Sequence, residues 1–284
     1  MSSSSWSWPE GKVLAIVPTI TWETWPDDLG TPSSVQMSNR PPVPKDSVYP
    51  IDMWVVRDHL YAEEEGIWRL RDNFARLGIS GTVIANGRTV ELHPEIARTL
   101  RDAGHELASE GWIHNYSIQM TEEQERESVE RTVKAFEDVL GQRPRGYISP
   151  GHRPTPNTDR IVVDNGYVWE ASYDQWDRPH VLDVDGRPLV GMPYGLVDYQ
   201  TYRYDGRSPR QMAELLEDEF QSLLAEGRAG NHKMMGYVFH PFLSRGYRTR
   251  PIFEFLERAQ EHDDVWIATR GELADWALSQ DSGA

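Results

Sequence analysis

Residues Glu106–Ser149, ELASEGWIHNYSIQMTEEQERESVERTVKAFEDVLGQRPRGYIS, contain one complete strand–helix–strand unit. Short apolar runs over 106–109 and 146–149 predict two strands. Between them, a capping box at Thr121–Gln124 begins a helix, and Gly141 is placed to end it. The apolar positions of that helix share one face: Val129, Val133, Phe136 and Leu140. A helix that connects two short buried strands is typical of parallel pairing.

The same alternation of strands and helices extends over most of the chain. Further strands are predicted over 13–17 (ending near Trp22), 79–85, 167–171, 189–192, 234–239 and 265–268, and further helices over 64–77, 94–103, 157–165, 208–223, from Pro251 and from Thr269. We therefore expect an α/β fold, a closed or nearly closed β/α barrel of about seven or eight strands in a single domain. An open doubly wound sheet is the alternative, and it is less favoured because no Gly-rich phosphate loop follows the first strand.

The predicted barrel occupies residues 13–278. Residues 1–12 are rich in Ser and Trp and are expected to form a flexible arm, and 279–284 a short tail. Six prolines within 26–50 are incompatible with the interior of a helix or strand. We expect that segment to be an irregular insertion in the barrel.

The composition excludes several classes of protein. The 284 residues include 29 Lys and Arg against 45 Asp and Glu, a formal charge of −16, and no Cys. Disulfides, Cys-ligated zinc, iron–sulfur clusters and Cys nucleophiles are therefore excluded. Nucleic acid and anionic membranes are not expected as partners, because both require a basic face. Without a transmembrane run or a recognisable secretory signal, the chain is expected in the cytoplasm. A mature secreted form is the alternative.

Ionisable residues follow four of the predicted strands. Chemistry in β/α barrels lies on the loops after the carboxyl ends of the strands. The residues at these positions are Glu23; Glu110 and His114; His152 and Arg153; and His240. We expect their side chains to converge on one cavity.

The spacing of Glu110 and His114 allows both side chains to face one Zn²⁺ ion, with a third ligand and an open position for water. Spacing alone favours an exposed carboxylate and a hydrogen-bonded imidazole. His240 precedes Pro241, which favours an extended conformation at the end of a strand. An imidazole there could act as a general acid, or it could be a hydrogen-bonded residue at the barrel rim.

Five motifs occur in a characteristic order. They are the strand followed by TWET at 21–24, GHELASEGWIHN at 104–115, RPRGYISPGHRP at 143–154, YVFHP at 237–241 and VWIATRGELADW at 265–276. This pattern resembles the polysaccharide deacetylase (NodB-homology, carbohydrate esterase 4-like) family, whose fold is a distorted β/α barrel. The resemblance covers about residues 13–278. It is strongest to the intracellular branch of allantoinase-like, cyclic-imide-hydrolase-like and peptidoglycan-deacetylase-like proteins.

The resemblance implies site residues and also reveals departures from the family pattern. Typical members carry two adjacent Asp, a base and a metal ligand, then a His-x₃-His ligand pair, an Arg in the third motif and a His-Pro general acid. The matching positions in this chain are, in order, Glu23, Thr24, Glu110 with His114, Ile148 and His240. One acidic residue, one His and one Arg are therefore replaced.

We accordingly expect hydrolysis of an amide-type carbon–nitrogen bond other than a peptide bond. Glu23 or a metal would activate water, and His240 would protonate the leaving nitrogen. The expected cofactor is a divalent metal, with zinc first, held by Glu110 and His114. Glu23 is an alternative ligand, and a metal-free site is the alternative to any metal.

The resemblance also implies a small or medium substrate, such as a cyclic imide, a ureide or a small acylated metabolite. The side chains expected to contact it are Trp25, Trp112, Tyr147, His152, Arg153 and Trp176. Relatives of this branch are often oligomers, so a homodimer or homotetramer is expected. The replaced motif residues leave a second class open, a catalytically retired protein that binds a ligand without turnover.

Overall fold

A computed structural model describes residues 6–27, 29, 44 and 46–281. Its strands are β1 Leu14–Trp22, β2 Thr82–Ala85, β3 Glu106–Ser109, β4 Gly146–Tyr147, β5 Trp169–Glu170, β6 His180–Val184, β7 Arg187–Gly191, β8 Leu196–Val197, β9 Lys233–Phe239 and β10 Val265–Ile267. Its α-helices are α1 Met53–Tyr61, α2 Ile67–Leu77, α3 Gly87–Leu92, α4 Pro94–Asp102, α5 Glu122–Leu140, α6 Thr158–Asp164, α7 Pro209–Arg228, α8 Gly246–Ala259 and α9 Arg270–Asp281. Two π-helical turns, Ala62–Gly66 and Gln200–Tyr204, complete the helical segments that matter below.

All ten strands belong to one curled sheet in the order β6-β7-β5-β4-β3-β2-β1-β9-β8, with β10 beside β1. The pairs are parallel except for the antiparallel hairpin of β6 and β7. Eight consecutive parallel strands, from β7 to β8, form the wall of an incomplete barrel. The predicted α/β fold, a distorted (β/α) barrel in a single domain, is confirmed.

The central strand, β1, is covered on both faces of the sheet. All nine residues of β1 are buried, as expected for a strand of a parallel sheet with packed layers on each side. Side chains of β1 and β9 pack against α2 and α8, where Phe74, Phe239 and Phe253 lie in ring contact. The carboxyl ends of these strands are thereby held at one edge of the sheet.

The helix signals read from the sequence are present. Both halves of the capping box at Thr121 form, and Ser208 with Gln211 makes a second one. Gly78 and Gly141 end their helices with φ of 65° and 68°, a conformation that suits glycine. The predicted start at Pro251 was wrong, because α8 begins five residues earlier. Its buried face, Ile252, Phe253, Phe255 and Leu256, compensates for the backbone donor that proline lacks.

The described part of the predicted flexible arm packs onto the barrel. Trp8 is 2% exposed, and its indole Nε1 donates to the Lys233 carbonyl at 2.8 Å. The rings of Trp6 and Trp266 make T-shaped contacts with the Trp8 ring. Burial of these aromatic surfaces holds Trp6 and Trp8 against the barrel, in contrast to the flexible arm expected over 1–12. Similarly, α9 continues through Asp281, so the first half of the predicted tail is helical.

Several expected features lie outside the described residues. They are residues 1–5 of the arm, 282–284 of the tail, and residues 28, 30–43 and 45 of the Pro-rich insertion. Among the helices that the structure describes, none combines the length and the apolar character needed to cross a bilayer.

Glu170, at the end of β5, gives the fold a pH dependence. Burial raises the pKa of Glu170 to about 8, although Ser172 donates two hydrogen bonds to its carboxyl group. A carboxyl whose pKa is higher in the folded than in the unfolded state stabilises the fold at low pH, and that contribution is lost as pH rises toward 8.

We therefore expect Glu170→Gln, an isostere of the protonated form, to raise the Tm by several degrees at pH 9 and to change it little at pH 5. Thermal unfolding at both pH values measures this. An equal shift at both, or a loss of stability at pH 9, contradicts it. Glu219→Gln is a half-buried carboxyl control for which we expect a smaller change.

Candidate active site

A cavity of about 600 Å³ opens at the carboxyl ends of the strands. Its lining includes residues that follow β1, β3, β4, β8 and β9, namely Glu23 and Trp25; Glu110, His114 and Tyr116; Gly151, His152 and Arg153; Tyr199 and Gln200; and His240. The ionisable residues selected from the four strand ends therefore meet in one place. The sheet brings them together because parallel strands end at the same edge.

Glu23, Glu110 and His114 form the buried floor of this cavity. The Nδ1 atom of His114 lies 3.1 Å from Oε1 of Glu23 and 3.2 Å from Oε1 of Glu110. The three side chains are 3–7% exposed. One donor atom from each lies within 4.8 Å of the other two. Two carboxylates and one imidazole thus converge on a common point.

Several atoms of this group lack partners. Glu23 Oε2, Glu110 Oε2 and His114 Nδ1 are buried without a hydrogen bond, because the short contacts to Nδ1 do not have hydrogen-bond geometry. Buried polar atoms are rarely left in this state. Carboxylate oxygens and an imidazole nitrogen are ligands of Zn²⁺ and Mn²⁺. The residues present therefore fit a divalent cation.

The backbone around the floor is fixed by a buried amide. Asn86 accepts the backbone N–H of Thr24 at 2.9 Å and donates to the Glu110 carbonyl at 2.5 Å. The Thr24 hydroxyl is hydrogen-bonded to the Thr89 hydroxyl at 2.7 Å. The Thr24 carbonyl accepts the backbone N–H of His114 at 2.9 Å. Thr24, which matches the second family Asp, holds the two loops together.

The charges of the floor are strongly interdependent. Burial alone would raise the pKa of Glu23, but His114 and His240 hold it well below its usual range. Burial, with the charge of Glu23 beside it, raises the pKa of Glu110. Burial opposes the protonation of His114, yet the two carboxylates raise its pKa well above the usual value. Such opposed shifts in a cleft are typical of functional sites.

His240 lies beside the floor and is held by Asp198. Its Nδ1 lies 2.6 Å from Asp198 Oδ1, and its backbone N–H donates to Oδ2 at 2.8 Å. Its Nε2 is 3.7 Å from Glu23 Oε1. Burial opposes protonation, but Asp198 and Glu23 together raise the pKa of His240 to about 10. His240 therefore carries a proton on the nitrogen nearest to Glu23 at neutral pH.

A π-helical turn forms the adjoining wall. Glu63, in the turn Ala62–Gly66, accepts the Trp22 indole N–H at 2.8 Å. A Cβ atom at Gly66 would lie 1.9 Å from the Pro241 carbonyl oxygen, so only glycine permits this approach. Just before the turn, His59 of α1 stacks on Phe242 with ring centroids 4.3 Å apart. The segments that carry Glu23 and His240 are thus tied to one helical wall.

Three of the side chains expected to contact substrate line the cavity, and three do not. Trp25, His152 and Arg153 are part of its lining, and the Trp25 ring lies 4.4 Å from that of His114. The other three lie elsewhere: Trp112 under the guanidinium of Arg131, Tyr147 in the core against Tyr167, and Trp176 between Tyr173 and His180. Their placement corrects the expectation, because strand-end aromatics also fill the layers under the loops.

Sequence reasoning missed other members of the cavity. Tyr116, Tyr194, Tyr199 and Gln200 line it, and Asp198 holds His240. Asp198 directly follows β8, a strand of two residues that leaves no periodic pattern. The strand-end rule would have selected it if that strand had been recognised.

Comparison with known proteins gives consistent results. Residues 53–169 match the family model described as polysaccharide deacetylase. The peptidoglycan deacetylase of Helicobacter pylori is 28% identical over 251 residues, which cover 76% of this chain and 85% of that protein. Puue allantoinase superposes with a TM-score of 0.83 and 26% identity, over 96% of this chain and 93% of that one. A probable polysaccharide deacetylase from Pseudomonas aeruginosa PAO1 gives 0.82 and 26%, over 94% and 92%.

Proposed function

We propose that the chain, whose residues 53–169 match the polysaccharide deacetylase family, hydrolyses an amide-type carbon–nitrogen bond of a substrate bound in the 600 Å³ cavity. An N-acyl group or a cyclic imide or ureide is the proposed target. The similarity to both a peptidoglycan deacetylase and an allantoinase supports this class of bond, because both act on carbon–nitrogen bonds of that kind.

One observation carries the proposal. A buried carboxylate, Glu23, lies 3.1 Å from an imidazole of a candidate metal site and 3.7 Å from a second imidazole that is protonated at neutral pH. Hydrolysis of an amide needs a group that takes a proton from water and a group that gives one to nitrogen. Glu23 and His240 supply these two roles side by side.

In the proposed reaction, Glu23 accepts a proton from water as the water oxygen bonds to the carbonyl carbon. His240 then donates its Nε2 proton to the nitrogen as the carbon–nitrogen bond breaks. Asp198 accepts the Nδ1–H of His240 at 2.6 Å and thereby stabilises the imidazolium, the form that has an Nε2 proton to give. Trp25 and Tyr199 flank the two imidazoles, at ring distances of 4.4 Å and 5.5 Å, and limit the access of bulk water.

Glu110 and His114 would hold a divalent cation, and Glu23 lies close enough to be a third ligand. Such a cation supplies Lewis acidity, which polarises the carbonyl group and lowers the pKa of water. We propose Glu23 as the base rather than as a permanent ligand, because its Oε1 also faces His240.

Elemental analysis of the purified protein tests this assignment. We expect about one equivalent of zinc or manganese in the native chain and in Glu23→Gln, and loss of the metal in Glu110→Ala and His114→Ala. Glu63→Gln, which changes a partly buried carboxylate outside the floor, is the matched control and should keep its metal. Metal missing from the native chain after soaking contradicts the site, and metal missing from Glu23→Gln makes Glu23 a ligand.

A ligand-binding protein without turnover is the second candidate. Ile148 lines the cavity where the family pattern has Arg, and the Thr24 hydroxyl is engaged by Thr89. A ligand that binds saturably and remains intact over a long incubation would favour this function. Hydrolysis of any cyclic imide, ureide or N-acetyl sugar would exclude it.

Two further expectations stay predictions. They are the homo-oligomer, a dimer or tetramer, and the location in the cytoplasm.

A further inference from the structure

We infer that the substrate carries a carboxylate, which Arg153 binds beside His152 at the rim of the cavity. The inference rests on the proposed function, because it concerns the part of the substrate that does not react. It narrows the substrate from amides in general to amides with one negative charge.

The loop after β4 has a backbone that favours a functional role. Gly151 and His152 have φ of 63° and 56° in succession. A positive φ is unfavourable for a residue with a Cβ atom, and such residues concentrate at functional sites. A Cβ atom at Gly151 would lie 2.3 Å from the Tyr116 ring, so the turn is also tightly packed. The result is that two adjacent side chains, His152 and Arg153, both line the cavity.

Arg153 is available for a ligand. Its guanidinium lies over the Tyr116 ring, 4.9 Å from the centroid. In the part of the chain that the structure describes, it has no carboxylate partner within ion-pair distance, and it is the one Arg or Lys that lines the cavity. Stacking restrains the guanidinium plane and leaves its N–H groups free. A single planar guanidinium matches a single carboxylate through two parallel hydrogen bonds.

His152 adds a polar contact at the same place. Its Nε2 lies 3.5 Å from Asp174 Oδ2, without a hydrogen bond. Asp174 is itself fixed, because its Oδ1 accepts the backbone N–H of Tyr194 at 2.8 Å. The imidazole is therefore placed by its neighbours and can still turn its N–H toward a ligand.

The charge of the remaining surface makes a local cation necessary for such a substrate. The chain has a formal charge of −16, which repels anions at long range. At the floor, the carboxylates of Glu23 and Glu110 lie against His114, and Glu23 also faces His240. A neutral sugar or imide would gain little from an unpaired guanidinium at the rim, whereas a carboxylate would pair with it directly.

Two matched pairs of substrates test the inference. N-acetylmuramic acid carries a carboxylate that N-acetylglucosamine lacks, and dihydroorotate carries one that dihydrouracil lacks. For a pair that the native protein hydrolyses, we expect kcat/KM to be about ten-fold or more higher for the acid than for its uncharged partner. Arg153→Gln should abolish this preference by lowering only the value for the acid, and Arg153→Lys should keep part of it. Added salt should weaken it.

Arg178→Gln is the matched control, because Arg178 also stacks on an aromatic ring, Trp6, but outside the cavity. It should keep the native preference. Equal kcat/KM values in the native protein, or an unchanged ratio in Arg153→Gln, would overturn the inference while hydrolysis itself stands.

Binding separates the failure of the inference from that of the proposed function. If neither pair is hydrolysed, calorimetry compares binding of N-acetylmuramic acid and N-acetylglucosamine. Tighter binding of the acid that disappears in Arg153→Gln would sustain the carboxylate site although hydrolysis fails. Equal or undetectable binding of both sugars would overturn it.

Discussion

Substitution of Glu23 by Gln is expected to lower kcat about 10³-fold or more, with little change in the fold. Gln keeps the size of the side chain but cannot take a proton from water, and general base catalysis contributes roughly 10²–10⁴ to a rate. The amide also removes the negative charge that lies 3.1 Å from His114 and 3.7 Å from His240. Steady-state hydrolysis of the best substrate of the panel measures the effect.

The control for this variant is Glu63→Gln. Glu63 is a partly buried carboxylate that accepts the Trp22 indole N–H, and it is not one of the three side chains of the floor. We expect it to retain activity within about three-fold, since an amide oxygen can accept the same hydrogen bond. If Glu23→Gln retains more than a tenth of the native kcat, Glu23 is not the base.

Asp198→Asn is expected to lower kcat about 10²–10⁴-fold. Asp198, together with Glu23, raises the pKa of His240 to about 10, and it accepts the Nδ1–H, so the imidazole is held as the imidazolium with a proton on each nitrogen. Asn removes the charge that stabilises the imidazolium, and an amide N–H directed at Nδ1 opposes protonation of that nitrogen, so His240 becomes a neutral imidazole, which is a far weaker acid. Because a general acid acts in its protonated form, the native rate should persist at alkaline pH. The rate of Asp198→Asn should begin to fall at a lower pH than the rate of the native protein.

A double-mutant cycle distinguishes this role from a general loss of stability. Asp198→Asn made in His240→Ala should cost little further activity, because the carboxylate acts through that imidazole. Asp177→Asn, which removes a surface carboxylate bonded to Lys233, is the control with native activity. Additive losses from Asp198 and His240, or an unchanged pH profile in Asp198→Asn, would show that Asp198 does not act through His240.

The sequence predicts the elements whose signals are local. The capping boxes at Thr121 and Ser208 and the glycines at 78 and 141 set helix ends through their own hydrogen bonds and dihedral angles. Strand β3 is predicted from its own four residues, which lie between a helix and a loop. The convergence of Glu23, Glu110, His114 and His240 follows from the parallel arrangement alone, because it places these strand ends at one edge.

Other features depend on contacts between distant residues. The two-residue strand β8 exists because it pairs with β9, with Val197 opposite Val238, and no periodicity marks it. The position of Trp8 depends on the Lys233 carbonyl, 225 residues away in the chain. Trp112 and Trp25 follow strand ends in the same way, yet one ring lies under Arg131 and the other lines the cavity. Residue type and strand order do not distinguish these two outcomes.

The π-helical turn Ala62–Gly66 has a consequence for how this cavity can change in evolution. An i→i+5 turn holds one residue more than an α-helical turn, so it has the effect of a one-codon insertion in a helix. Without that residue, α1 would rotate by about 100° relative to α2, and His59 would leave Phe242. The wall beside Glu23 therefore depends on the number of residues in this helical segment as well as on their identities. A lineage confined to point substitutions inherits that wall, whereas a single in-frame deletion would reshape it at once.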